Sequence, residues 1–301
     1  MSASTKPSCL VVVRAGNSSL HEGYLEGART GAYDLVVSYF GDDPDRFRRP
    51  EENRVDRKGG KWDGILDLFR IRPELLDRYE YFWFPDDDIQ AATTDVVALF
   101  EAMRHDRLSV GQPSLSPDSY FSWIALLNLP SFRLRYVNAI EVMMPCLGRD
   151  ALKQALPLFA QSSSGWGIDF IWTRMEPDNR YKAAILDTVV MRHTRPVGGA
   201  IHTMLKAKGV SPAAEEQALL ARHGLEKPTF HVYAGRLADG RRIDERSLSG
   251  RIELVLTAFR DLHRHRHVTV ETEHWARRMR RSLRHHIFAS VDLSQTTVVA
   301  R

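Results

Sequence analysis

The chain has 301 residues, 43% of them hydrophobic, and a formal net charge of +4. That length and apolar content support one large domain or two smaller ones and exclude a disordered or fibrous chain. The charge excess suits anionic ligands or an acidic membrane surface and is too small to imply nucleic acid, so no nucleic-acid partner is expected.

The first element is the apolar, β-branched run 9–13, which ends at Arg14 and reads as a buried strand. The run is too short for a signal-peptide core or a membrane span, and no other segment approaches that length. A cytoplasmic chain is therefore expected, with at most a peripheral contact to the inner face of a membrane. Cys9 and Cys146 sit in no metal or disulfide spacing and read as buried thiols of a reducing compartment. A second strand covers 35–40 and stops at Gly41-Asp42-Asp43-Pro44. The charged stretch 45–60 reads as a long loop. Trp62, Ile65, Leu66 and Phe69 have helical spacing. Residues 79–84 form an aromatic strand, Thr93 or Thr94 starts a helix to about Arg104, and 108–112 is a short strand.

In the middle of the chain, 136–144 reads as a strand, 149–159 as a helix, 168–175 as a short helix and 183–191 as a strand. Past residue 199 the composition shifts to helix formers, with helices expected over 213–223, 249–263 and 273–288. The alternation predicts an α/β fold with a mostly parallel central sheet flanked by helices, and ligands at the carboxyl ends of its strands. The organisation expected is a first domain over 1–205 and a basic, helical C-terminal extension over 206–301.

Five clusters carry chemistry. In Phe84-Pro85-Asp86-Asp87-Asp88-Ile89, alternate residues of an extended chain point the same way, so Asp86 and Asp88 can face one site while Asp87 points elsewhere. Paired carboxylates suit Mn²⁺ or Mg²⁺, ions that also bind substrate phosphates, and a solvated acidic turn is the plainer alternative. In Ser164-Gly165-Trp166-Gly167-Ile168-Asp169-Phe170, the glycines admit close backbone approach. Trp166 offers a flat apolar face to a sugar ring or packs in the core. Asp169 fits two roles equally: a base for an acceptor hydroxyl, or a carboxylate favoured at a helix start. His193, after a strand, can complete a metal shell, and Arg195 can pair with a diphosphate. Lys58-Gly59-Gly60-Lys61-Trp62-Asp63-Gly64 lacks the full phosphate-loop pattern, yet Lys61 can reach a phosphate and Asp63 a base or ribose. The arginine- and histidine-rich 263–286 reads as a docked amphipathic helix with a solvated face, with a membrane-surface helix as the alternative.

Read in order, Val36 to Asp42, Lys58 to Gly64, Tyr81 to Ile89, Gly165 to Phe170 and His193 to Gly198 resemble a little-characterised domain family of plants and bacteria assigned as GT-A-type glycosyltransferases. The resemblance runs from about Val11 to Gly199. It implies a GT-A-like, Rossmann-like fold, a nucleotide-sugar donor and a carbohydrate or glycan acceptor. It also implies a DxD metal site at Asp86 and Asp88, with His193 as the late metal ligand. By the same pattern Arg14 ends the first nucleotide-binding strand; with it, Lys61, Asp63, Asp86, Asp87, Trp166 and Arg195 are the candidate donor-binding residues. Asp169 takes the position of the acceptor-activating base, which implies inversion, although Ile168 stands where the pattern has an acidic residue. A non-catalytic scaffold that binds nucleotide sugars or glycans is the alternative, motivated by the basic extension.

Overall fold

The structure, a computed structural model, describes residues 7–49, 53–176, 179–198, 205, 209–226, 228–266 and 293. Eleven strands build one sheet: β1 (Cys9–Ala15), β2 (Asp34–Tyr39), β3 (Asn53–Asp56), β4 (Tyr81–Trp83), β5 (Ile89–Gln90), β6 (Val110–Leu115), β7 (Phe132–Val137), β8 (Cys146–Gly148), β9 (Ala183–His193), β10 (Val232–Leu237) and β11 (Arg242–Asp244). Their order is β11-β10-β7-β9-β6-β8-β4-β1-β2-β3, and β5 joins through β9. The run β3-β2-β1-β4 is all parallel, as is β6 against β9. β8, β7, β10 and β11 insert antiparallel.

Helices flank the sheet: α1 (Leu25–Arg29), α2 (Lys61–Ile71), α3 (Leu75–Arg78), α4 (Thr93–His105), α5 (Arg149–Phe159), α6 (Ile168–Ile171), α7 (Pro212–Arg222) and α8 (Leu248–His265). α2 and α5 pack on each other and on β1 and β4, and α1 and α4 pack together against β2, β6 and β9. β1 is buried at every position because it is central and covered on both faces, which is why it reads as an unbroken apolar run. Around β4 the aromatics alternate: Phe82 and Phe84 stack and meet Phe69 of α2, whereas Trp83 meets Tyr24. Both cysteines are free and buried, and no described helix is long and apolar enough to cross a membrane.

Three expectations need correction. The segment 45–60 contains β3, an edge strand whose Asn53-Arg54-Val55-Asp56 lacks apolar alternation because little of it is buried. The strand expected over 136–144 lies at Phe132–Val137, and 138–145 is irregular; Pro145, which lacks an N–H, ends the apolar run that suggested a longer strand. Beyond residue 205 the helices are joined by two strands. β10 pairs with β7 and β11 with β10, so this part of the chain extends the same sheet. The expected helices 213–223 and 249–263 correspond to α7 and α8. The one at 273–288, with the arginine-rich run it carries, lies outside the described residues.

Candidate functional site

The parallel run places the ends of β1, β2, β3 and β4 on one edge of the sheet. The three aspartates begin three residues past the end of β4. Their turn is stitched to the segment after β7: the Phe84 N–H donates to the Pro145 carbonyl at 2.9 Å, and the Asp86 N–H to the Met143 carbonyl at 2.7 Å. The three carboxylates then diverge. Asp87 turns to the loop after β1, where its Oδ2 accepts from the Gly16 N–H at 2.9 Å, and its Oδ1 accepts from Arg195 Nη1 at 2.9 Å. Arg195 also donates to the Ser18 carbonyl at 2.5 Å, so Asp87 and Arg195 tie the β1 loop to the end of β9. Asp86 accepts from Lys61 Nζ at 2.6 Å. Burial raises its pKa, Lys61 opposes the rise, and neighbouring Asp88 adds to it.

Asp88 immediately precedes β5, and β5 pairs antiparallel with the end of β9 so that Ile89 stands opposite His193. Thr194 fastens the turn, its N–H and Oγ1 donating to the Asp88 carbonyl at 3.1 and 2.9 Å. The result is a buried pair, His193 Nε2 lying 3.2 Å from Asp88 Oδ2. On the other side of the ring, Nδ1 lies 2.9 Å from the Tyr120 carbonyl, so Nδ1 carries a proton and donates it. Burial disfavours the charged ring, but the Asp88 carboxylate and the Tyr120 carbonyl outweigh it, and the His193 pKa is raised.

This donor set fits a divalent ion of one particular kind. A carbonyl on Nδ1–H that leaves Nε2 facing a carboxylate is the usual support of a ligating histidine. Among the described residues, no group of three or more His, Cys, Asp or Glu side chains comes together to hold a metal by itself. Asp88 and His193 therefore suit an ion that takes its remaining ligands from phosphate oxygens and water, as Mg²⁺ and Mn²⁺ do.

Asp169 lies in the first turn of α6. Its Oδ1 accepts from the Gly167 and Phe170 N–H groups, both at 3.1 Å, and Gly167 reaches this arrangement with a φ of 93°. Burial, reinforced by Glu141 and Glu216, pushes its pKa up to about 8. Sequence reasoning missed Glu141. The Asp169 carbonyl accepts from the Ile140 N–H at 3.1 Å, which sets the following residue beside α6. Burial and then Asp86 push the Glu141 pKa up to about 7. The signal was present: Glu141 is the only charged residue in the apolar run 136–144.

The remaining expected residues frame the site. All three ammonium donors of Lys61 are taken, by Asp86, the Val142 carbonyl at 2.7 Å and the Met143 carbonyl at 2.9 Å. Arg14 is buried at the end of β1 and donates to Ser38 Oγ at 2.9 Å, the Arg57 carbonyl at 2.9 Å and the Gly59 carbonyl at 2.8 Å. It thereby pins the loop that leads into α2, in whose first turn Asp63 is exposed. Burial lowers the Arg14 pKa to about 10, against the pull of Asp63 and Asp67. The 162–167 loop comes against Gly60, and a Cβ on Gly165 would fall 2.1 Å from Trp62 Nε1. Gly165 therefore packs against the Trp62 indole with no room for a side chain, and Trp166 next to it is exposed at the rim. Asp86, Asp88, His193, Lys61, Glu141 and Asp169 form one connected group, Asp87 and Arg195 brace it, and Arg14, Asp63 and Trp166 lie around it.

No family model matches the chain, and no curated protein matches it. Solved structures do. The chain is similar to GalNAc-T7 crystallised with UDP, GalNAc and Mn²⁺, at a TM-score of 0.51 and 12% identity, over 71% of this chain and 48% of that one. It thus spans about half the length of that structure. It is also similar to glucosyl-3-phosphoglycerate synthase from Mycobacterium tuberculosis in complex with Mn²⁺, UDP and glucosyl-3-phosphoglycerate, at a TM-score of 0.46 and 14% identity, over 75% of this chain and 87% of that one. At such identities a likeness shows the fold alone, and the fold that the first of these shows is the GT-A glycosyltransferase fold.

Proposed function

We propose that the chain is a metal-dependent glycosyltransferase that moves a sugar from a nucleoside-diphosphate donor to an acceptor hydroxyl. The observation that carries this reading is the Asp88–His193 pair at the carboxyl edge of the sheet, with Nδ1–H of His193 committed to the Tyr120 carbonyl. Asp88 and His193 would hold Mn²⁺ or Mg²⁺. When bound, the ion supplies positive charge to the leaving diphosphate. Asp87 and Arg195 hold the β1 loop against the aspartate turn and so fix the direction of approach to Asp88. Asp169, in its ionised form, takes the proton from the acceptor hydroxyl as that oxygen attacks the sugar, and displacement with inversion follows. The backbone N–H groups of Gly167 and Phe170 aim its carboxylate.

The fold supports this reading, and so does the chemistry of the donor set. A nucleotide-sugar panel in the presence and absence of Mn²⁺, followed by thermal shift, tests it, because a ligand that binds the folded state stabilises it by an amount that grows with the logarithm of its affinity. We expect a stabilising shift that requires the ion and disappears in Asp88→Asn and His193→Ala, with affinity reduced roughly 100-fold or more, at or beyond the upper end of what loss of a supporting contact costs. A shift that persists undiminished in both variants would remove these residues from the site. Donor binding without turnover across an acceptor panel would instead favour a nucleotide-sugar-binding scaffold.

A further inference from the structure

Glu141 has no part in the reading above, yet it occupies the middle of the site. The turn that carries it is held from several directions. Its N–H donates to Gln112 Oε1 at 2.7 Å, and its own Oε2 accepts from the Met143 N–H at 3.0 Å. Lys61 grips the next two carbonyls, and the Met143 carbonyl also accepts from the Asp86 N–H. The residue before it is bonded on its other side, the Ile140 carbonyl accepting from Trp172 Nε1 at 3.0 Å.

That rigidity serves a carboxylate with no cation of its own. The nearest ammonium, Lys61, spends its three donors on Asp86 and the two carbonyls. Glu141 Oε1 makes no hydrogen bond to the described residues. The turn is bonded to both neighbouring acids through the backbone, the Met143 carbonyl accepting from the Asp86 N–H at 2.7 Å and the Ile140 N–H donating to the Asp169 carbonyl at 3.1 Å, so Glu141 stands between them. A second observation comes from Gln112. Its Oε1 is bound to Glu141, whereas its Nε2 is buried and has no partner. An acceptor on the turn and a donor on the β6 residue that braces it are thus both without partners among the described residues. Leaving the buried Gln112 amide unmatched costs stability, while the half-buried Glu141 Oε1 stays open to a donor from outside the chain.

We propose that Glu141, braced by Gln112, is a specificity-determining residue that accepts hydrogen bonds from the hydroxyl groups of the transferred sugar. This rests on the glycosyltransferase reading. Under that reading the diphosphate lies on the Asp88–His193 side and the attacking hydroxyl on the Asp169 side. In an in-line displacement the sugar carbon lies between leaving group and nucleophile. A residue on a turn whose one side is bonded to the Asp86 backbone and whose other side is bonded to the Asp169 backbone therefore faces the sugar, not the nucleotide. An ionised carboxylate is acceptor-only and matches hydroxyl donors, and it repels phosphate.

The test is calorimetric titration of the full chain with Mn²⁺ present, using UDP, GDP and ADP and the glucose conjugate of each. Glu141→Gln keeps the shape and the bond from Met143 N–H. It should leave the affinity for the preferred nucleoside diphosphate within about twofold and weaken its glucose conjugate roughly tenfold, the worth of one hydrogen bond to a charged group. Equal weakening of both ligands, or no weakening of the conjugate, overturns the proposal. If the wild-type chain binds none of the six, the glycosyltransferase reading falls first and this one with it. Should Glu141→Gln melt early, Glu141→Asp, which keeps the charge and shortens the reach, is read by the same comparison.

Discussion

Four carboxyl groups of the site, those of Asp86, Asp87, Glu141 and Asp169, have pKa values displaced upwards, and the sign of that displacement has consequences for rate and for stability. Asp169 is pushed to about 8 by burial and by Glu141 and Glu216, whereas in an unfolded chain an aspartate titrates near ~4. A base must be ionised to accept a proton, so transfer should rise with pH and level off above about 8. Stability runs the other way. Between the unfolded and folded pKa values the native state keeps a proton that the unfolded state has released, so this residue's contribution is fully present below the lower value and is lost as pH rises through the upper one. Asp169→Asn removes that term. The variant should lose transfer by roughly 100- to 10,000-fold, and its melting temperature relative to wild type should climb between pH 5 and pH 9. Melting curves taken across that range check the claim, and a constant difference would show that Asp169 ionises normally.

At the scale of elements, the site depends on α2 delivering one lysine. Lys61 is the first residue of α2, and its ammonium joins Asp86 of the aspartate turn to the turn that carries Glu141. Its side chain is 10% exposed and that of Asp86 39%, so water screens the pair only in part. Lys61→Met leaves two carbonyls and a carboxylate without their donor and should destabilise the fold by about 2 kcal/mol after allowance for that screening. Urea unfolding measures it, and a change below about 0.5 kcal/mol would mean that the turns are held by their backbone bonds alone. Lys61 also shows where a sequence stops being readable. The strand-and-turn placement of Asp86 to Asp88 follows from alternation, and the period of α2 follows from Trp62, Ile65, Leu66 and Phe69. The destination of a long flexible side chain does not, because both of its carbonyl partners lie about eighty positions away. Glu141 is hidden for a related reason: an apolar run looks like a strand, and only the pairing of β7 shows that the run has already left the sheet. Likewise β10 and β11 are short and flanked by helix formers, and their strand character comes from β7 offering an edge.

That edge decides how the molecule holds together as a whole. Composition suggests a boundary near residue 205, but β7 would be an edge strand without β10, with the row of backbone groups that now pair with Val232 to Leu237 left open. The contact is not confined to the sheet. Phe230, Tyr233 and Ala234 are buried in the shared core, and Asp261 of α8 accepts from the Ser131 N–H at 2.8 Å and from Ser131 Oγ at 2.9 Å, just before β7. β7 in turn carries Arg135, fully buried and doubly bonded to Asp187 of β9, whose far end supplies His193. A change at residues 230–265 is therefore transmitted to the strand that positions His193. A chain ending at residue 209 should lack a cooperative thermal transition, bind a hydrophobic dye at room temperature, and show no ion-dependent shift with nucleotide sugars. If that shorter chain instead melts cooperatively and retains the shift, the strands after residue 209 are an appendage and the site stands without them.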